Sequence, residues 1–291
     1  MRNLPHPSRD SDRADLQASV RTYIYRQEVK GHDISDSEID QILEIYDLYA
    51  GGAGIASEAM KGGALPQTLK DSVLSAYSKT YPKGILFPLR ETLRRGVDRC
   101  PVCGINPADE LDHHLPKSVF KLLAIHTRNL VPMCHDCNTT KRTVYGDDEL
   151  TGFLHPYYDV LPAVDFLVAR PVLQGAALSV TFEIDLACAL PAGWAQKLAN
   201  QFSKLKLGMR YGREVNIYIA SHAIALHLNY RAGGQAAVQS LLQSQAQYES
   251  NIFYRNHWRP VTLRALADLD PFTDGGFAQV LPISEEMIAG I

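Results

Sequence analysis

The sequence predicts an α+β protein in which mostly helical flanks surround a central segment of short elements held by cysteines. Three observations predict this. Apolar residues recur at helical spacing on both sides of the middle of the chain, and Leu178, Val180, Phe182 and Ile184 alternate with polar neighbours as in a half-buried strand. Two C-x-x-C pairs, Cys100/Cys103 and Cys134/Cys137, bracket a stretch rich in histidine. With 291 residues, 46% apolar and 21% charged, the chain can bury a core of its own and does not read as disordered or fibrous. A net charge of −3 excludes a uniformly basic nucleic-acid coat and leaves room for a local basic site. The expected organisation is a helical region over 1–95, a cysteine-rich module over 96–160, and a mixed strand and helix region over 161–291.

In the first region Ser35 and Glu38 form a capping box ahead of Ile39, Ile42, Leu43, Tyr46 and Tyr49, which share one helical face. Gly51, Gly52 and Gly54 close that helix, and Gly62 and Gly63 mark a second break. A further helix starts after Pro66 and turns Leu69, Val73, Ala76 and Tyr77 inward. In the last region Val164 to Val168 is the expected partner of the 178–184 strand. Trp194, Leu198, Phe202 and Leu205 share a face, as do Val215, Ile219, His222 and Leu226, and Gly233–Gly234 separates the latter helix from the next. Met1 to Ser8 has no apolar stretch of the kind a secretory signal carries, and no apolar run reaches the roughly 18 residues of a membrane span, so the expected compartment is the cytoplasm.

A chain without a signal sequence uses C-x-x-C pairs for metal or redox chemistry rather than for a disulfide framework. Each pair sets two thiolates on one side of a tight turn, and two turns complete a tetrahedron. Four sulfurs with no open position predict a closed, structural Zn²⁺ on Cys100, Cys103, Cys134 and Cys137. The alternative is a set of buried or redox-active thiols.

Between the pairs runs Leu111-Asp112-His113-His114-Leu115-Pro116-Lys117-Ser118, then Asn129-Leu130-Val131-Pro132, and Asn138-Thr139-Thr140-Lys141 follows the last cysteine. This order of motifs resembles the HNH endonucleases, with a D-H pair, a central N-L-x-P strand and a final Asn in C-x-x-C-N-x-x-K. The resemblance covers Cys100 to Lys141. It implies a ββα-metal unit with a strand to Asp112–His113, a second strand over Asn129 to Met133 and a helix from about His135. It implies hydrolysis of DNA to 5′-phosphate and 3′-hydroxyl ends, with His113 as general base and Asn129 holding the loop that aims it. Asp112 and Asn138 are the implied ligands of a catalytic cation. Because Asn138 stands where many relatives have histidine, the ligands are oxygens, which suit Mg²⁺ or Mn²⁺.

Lys117, Lys141 and Arg142 are expected at DNA phosphates. From Lys83 to Arg142 ten Lys or Arg face six Asp or Glu, a net +4 within an otherwise −7 chain, and Arg90, Arg94, Arg95 and Arg99 form a cluster that can track a phosphate backbone. His114 is expected in packing, His126 and His135 in solvent, and His155-Pro156-Tyr157-Tyr158-Asp159 in a turn packed on the module. The tail, with Asn256-His257-Trp258 and Leu266 to Phe277, is loosely similar to bacterial HNH proteins of phage defence, which implies a partner such as a regulatory ATPase. The rival expectation is a non-catalytic zinc module that scaffolds nucleic acid or protein.

Overall fold

The computed structural model describes residues 1–146, 150–284 and 286–287. It divides into two units, residues 3–161 and residues 1–2 with 162–291. Residues before and after position 95 fall in one unit because they share a core, which runs from Leu16 and Val20 through Ile42, Tyr49 and Leu69 to Leu111, Leu123 and Leu130.

The first unit begins with α1 (Asp12–Ser19) and a short hairpin, β1 (Tyr23–Tyr25) and β2 (Glu28–Lys30). In α2 (Asp36–Gly51) the capping box forms as expected: the Glu38 amide donates to Ser35 Oγ, and the Ser35 amide donates to Glu38 Oε2 at 2.9 Å. Its buried face is Ile39, Ile42, Ile45, Tyr46 and Tyr49, with Leu43 only partly buried. α3 (Gln67–Ala76) buries Leu69, Val73 and Ala76, and α4 (Phe87–Arg94) follows. β3 (Glu110–His113) and β4 (Leu130–Met133) pair antiparallel, with Asp112 opposite Val131, and α5 (His135–Lys141) comes directly after.

His126 corrects one expectation. It lies fully buried, stacked on Tyr46 with ring centroids 4.0 Å apart and edge-on to Tyr49 at 5.2 Å. Neither ring nitrogen makes a hydrogen bond, and Asp12 Oδ2 stands 3.8 Å from Nδ1. Burial, and then the charges of Arg9 and Arg128, push its pKa well below the ordinary range. A histidine neutral when folded and protonated when unfolded contributes stability that is lost as pH falls below the unfolded value of about 6.5. His126→Phe keeps the stack and removes this loss. Its urea midpoint is expected to match or exceed wild type at pH 7.5, and the advantage should grow by about 1.4 kcal/mol at pH 5.5. An advantage that stays constant would mean that His126 keeps its proton in the folded state, paired with Asp12.

The second unit opens with β5 (Leu167–Gln174) paired antiparallel to β6 (Ala177–Ile184), Leu167 facing Ile184. The strand partner therefore lies C-terminal to the expected Val164–Val168. Pro171 is tolerated within it because, among the described residues, β5 pairs with β6 alone, so a missing N–H can face away from the ladder. Asn256 sets the start of β5: its Oδ1 accepts from the amides of Phe166 (2.8 Å) and Leu167 (3.0 Å), and its Nδ2 donates to the Val164 carbonyl. α6 (Trp194–Lys204) and α7 (Leu207–Ala220) pack on β6. A side chain at Gly208 or Gly212 would meet the carbonyl of Phe182 or Val180 at about 3 Å, so glycine allows this close approach.

Val215 and Ile219 lie on α7, but Leu226 belongs to α8 (Ala223–Phe253), so the single expected helix is two. α8 breaks at Gly233–Gly234, where Gly234 has φ 62° and ψ −151°. α9 (Trp258–Ala267) and α10 (Phe277–Val280) complete the unit. Among the described residues no helix is long and apolar enough to cross a membrane.

Candidate functional site

Two neighbouring features of the first unit carry chemistry: a cluster of four sulfurs, and the facing residues of β3, β4 and α5. The Sγ atoms of Cys100, Cys103, Cys134 and Cys137 lie within 4.8 Å of one another, and all four residues are buried. Cys103 and Cys134 stand 3.7 Å apart. A regular tetrahedron of Zn–S bonds near 2.3 Å has edges of about 3.8 Å, so the spacing fits a zinc ion. Local backbone geometry shapes each turn. The Gly104 amide donates to the Cys100 carbonyl at 2.8 Å with φ 70°, and the Ile105 amide donates to Cys103 Sγ. Cys134 caps α5 and Cys137 lies in its first turn, while Asn106 Nδ2 donates to Asp136 and joins the two knuckles. Hydrogen bonds from Cys100, Cys134 and Cys137 draw the Cys103 thiol far below the ordinary range. Four buried cysteines so disposed can hold a metal ion such as zinc.

Along β3, Glu110 and Asp112 alternate with Leu111 and His113. His113 is buried edge-on to Tyr77 with ring centroids 4.4 Å apart, and its Nε2 donates to the Ala124 carbonyl at 2.9 Å. That bond fixes the tautomer and leaves Nδ1 as the acceptor. Burial lowers the His113 pKa to about 3, so the ring is neutral at physiological pH. Asn129 holds the loop that supplies this carbonyl. Its Oδ1 accepts from the Leu115 amide (2.8 Å), and its Nδ2 donates to the carbonyls of Leu115 and Leu123.

Asp112 is buried, and burial pushes its pKa up while Lys141 pulls it back. Lys141 Nζ lies 2.9 Å from the Asp112 carboxylate and donates to the His113 carbonyl at 2.8 Å. Lys141 is itself buried, which corrects its expected place at a DNA phosphate: the acid 29 positions earlier takes its charge inward. Asn138 Nδ2 donates to Glu110 Oε2 at 2.7 Å, a bond that leaves Oδ1 uncommitted to Glu110. Glu110 also pairs with the exposed His135 at 2.8 Å. The sequence reading overlooked Glu110; the two-residue step from Asp112 on a strand was the signal that could have found it.

No family model matches the chain. It is similar to Protein ea31 of Escherichia phage lambda, 27% identical over 197 residues. The match spans 61% of this chain and 64% of that protein, so the chain covers somewhat less than two thirds of this relative. No solved structure matches.

Among the basic candidates, Lys117 is half-buried, its Nζ 3.7 Å from the centre of the Tyr77 ring, and burial lowers its pKa. Arg142 ends α5 and is exposed. The expected arginine track is mostly spent on structure. Arg90 donates to the Asp109 carbonyl, Arg94 to Ala108 and Asp109, and Arg99 to Ile105, so together they brace the loop between the first knuckle and β3. Arg95 stays exposed.

His114 stacks on His155 at 4.0 Å. His155 is buried, accepting from the Tyr157 amide at Nδ1 and donating from Nε2 to Tyr49 Oη at 2.8 Å. Gly54, at φ 80°, makes room for this ring, since a Cβ there would lie 2.5 Å from it. Tyr157 Oη donates to the Leu130 carbonyl at the start of β4. The His155–Asp159 turn thus packs between α2 and β4.

Proposed function

We propose that the chain is an HNH-type, metal-dependent endonuclease that hydrolyses phosphodiester bonds in DNA. One observation carries the reading. A neutral imidazole, His113, has its Nε2 hydrogen committed to the Ala124 carbonyl and its Nδ1 lone pair free, in the position next to a buried carboxylate. The run of hairpin and helix, β3–β4–α5, beside the four-sulfur cluster supports the finer description as a ββα-metal unit with a structural zinc.

In the reaction, water attacks phosphorus as the bond to the 3′ oxygen breaks, leaving a 5′-phosphate and a 3′-hydroxyl. His113 Nδ1 takes the proton of the attacking water, and the departing oxygen is protonated from solvent. Asn129 keeps the ring in place by holding the loop from Leu115 to Leu123. The carboxylate of Asp112 and the amide oxygen of Asn138 are the oxygens that would hold the cation, and oxygen ligands fit Mg²⁺ or Mn²⁺. Such a cation, when bound, would supply charge stabilisation and a more acidic water.

A metal titration of plasmid cleavage, after loosely bound ions are stripped, tests the assignment. Mg²⁺ or Mn²⁺ is expected to support cleavage and Zn²⁺ alone little or none. Asn138→Ala should lose most activity and keep its tightly bound zinc. Full activity of Asn138→Ala, or a preference for Zn²⁺, would remove Asn138 from the ligand set.

The similarity to a phage lambda protein and the loose likeness of the tail to defence proteins support a setting in phage–host conflict, with a regulatory ATPase as the partner class. The second reading, a non-catalytic zinc scaffold, is favoured by one observation: Lys141 already neutralises Asp112. Under that reading the wild type cuts no DNA in any divalent ion.

A further inference from the structure

The β1–β2 hairpin was not read from the sequence, and nothing in the core explains it. Every residue from Arg21 to Gly31 is exposed, including Ile24 at 79% and Val29 at 72%. An isolated two-stranded hairpin is marginal in water, so so much apolar surface on an unsupported ribbon marks a contact element. Tyr25 faces Glu28 in the register, so Arg26 and Gln27 form a two-residue turn. Both have left-handed φ values, 51° and 66°, a conformation that glycine or asparagine adopts more cheaply. The tip therefore carries an arginine side chain at some conformational cost.

We propose that this hairpin is an arm that grips the DNA flanking the cleaved bond, an inference that rests on the nuclease reading above. Tyr23 and Tyr25 share one face with Lys30, and the Arg26 guanidinium lies 5.2 Å from the Tyr25 ring centre. Arginines and a lysine interleaved with tyrosines match a polyanion whose bases offer flat faces. Among the described residues Lys30 is the one of these three cations with an acidic partner, Glu28 beside it on the arm.

The arm is also continuous with the candidate site. Lys79 Nζ donates to the Ser19 carbonyl at the foot of the hairpin, and Arg21 is near enough to depress the Lys79 ammonium, second to burial. His32, on the other side of the foot, contacts Thr68 at the start of α3, and Tyr77, just past the end of α3, touches His113. Ten helical residues span about 15 Å, the length of four or five base steps.

The test measures binding of the full chain, without added divalent cation, to a short labelled duplex and to the same duplex with a single-stranded overhang, over a salt series. Arg21→Ser/Arg26→Ser/Lys30→Ser is expected to weaken binding at least tenfold and to flatten the log–log salt slope by about 2 to 3. Tyr23→Ala/Tyr25→Ala should weaken binding about tenfold with the slope unchanged. Loss on both probes places the arm in a duplex groove, and loss on the overhang alone places it on unpaired bases; either supports the arm. Wild-type affinity and slope in both variants would overturn it, as would a lowered unfolding midpoint, which would make the hairpin part of the core. Variants that lose binding while the wild type never cuts leave the arm standing and remove the nuclease reading. Variants that bind normally while the wild type cuts do the reverse.

Discussion

Cys137→Ser is expected to cost the first unit its metal and most of its folded structure. The serine hydroxyl does not replace a thiolate as a soft ligand, and the three remaining sulfurs would be left buried and crowded. Zinc held by four cysteines contributes on the order of 10–16 kcal/mol in small peptides, as much as the whole stability of a typical domain. The same ion would close the stretch from Cys103 to Cys134, which contains both β3 and β4. Elemental analysis should therefore find close to one zinc per wild-type chain and far less in the variant, and the variant should lose its cooperative melt or become insoluble. Cys188→Ser, outside the cluster, should keep both zinc and melt. A well-folded wild-type preparation without zinc would refute the assignment.

The second large effect is expected at His113. Removing a general base lowers the chemical step by about 10²–10⁴-fold. His113→Ala should show this loss with Mg²⁺ while retaining its zinc, since the sulfurs are separate atoms. The ring is buried against Tyr77, so alanine also opens a cavity. His113→Gln guards against that ambiguity: its amide can still donate to the Ala124 carbonyl and fill the space, yet it offers no basic nitrogen. Both variants inactive, with the glutamine variant as stable as wild type, would identify lost proton transfer as the cause. Wild-type cleavage in either would move the base to another residue. His155 is a poor substitute because both its nitrogens are engaged.

What the sequence disclosed here followed the range of the interactions involved. The α2 cap lies within four residues, and the paired cysteines advertise themselves by spacing, so both were legible. Residues whose surroundings are assembled from afar were not. His126 looks like a loop histidine until α2 lays Tyr46 and Tyr49 over it, and Lys141 looks like a surface lysine until β3 brings Asp112 to its ammonium. The β5 strand starts three residues later than expected because the side chain of Asn256, far along the chain, takes the amides of Phe166 and Leu167 and sets its start. The hairpin at Tyr23–Lys30 was missed because three residues per strand give too short an alternation to stand out.

The common core has a consequence for how this protein can be cut and inherited. Leu111, Leu122, Leu123 and Leu130 lie against the helices that precede the first cysteine, and Tyr77 donates to the Leu111 carbonyl at 2.7 Å. A fragment beginning at residue 96 would carry Asp112, His113, Asn129, Asn138 and all four cysteines yet expose those leucines to water. The motif-bearing segment is thus no interchangeable cassette. Recombination that spares the fold must move residues 3–161 as a block, with the tolerant crossover point at the joint after Leu161.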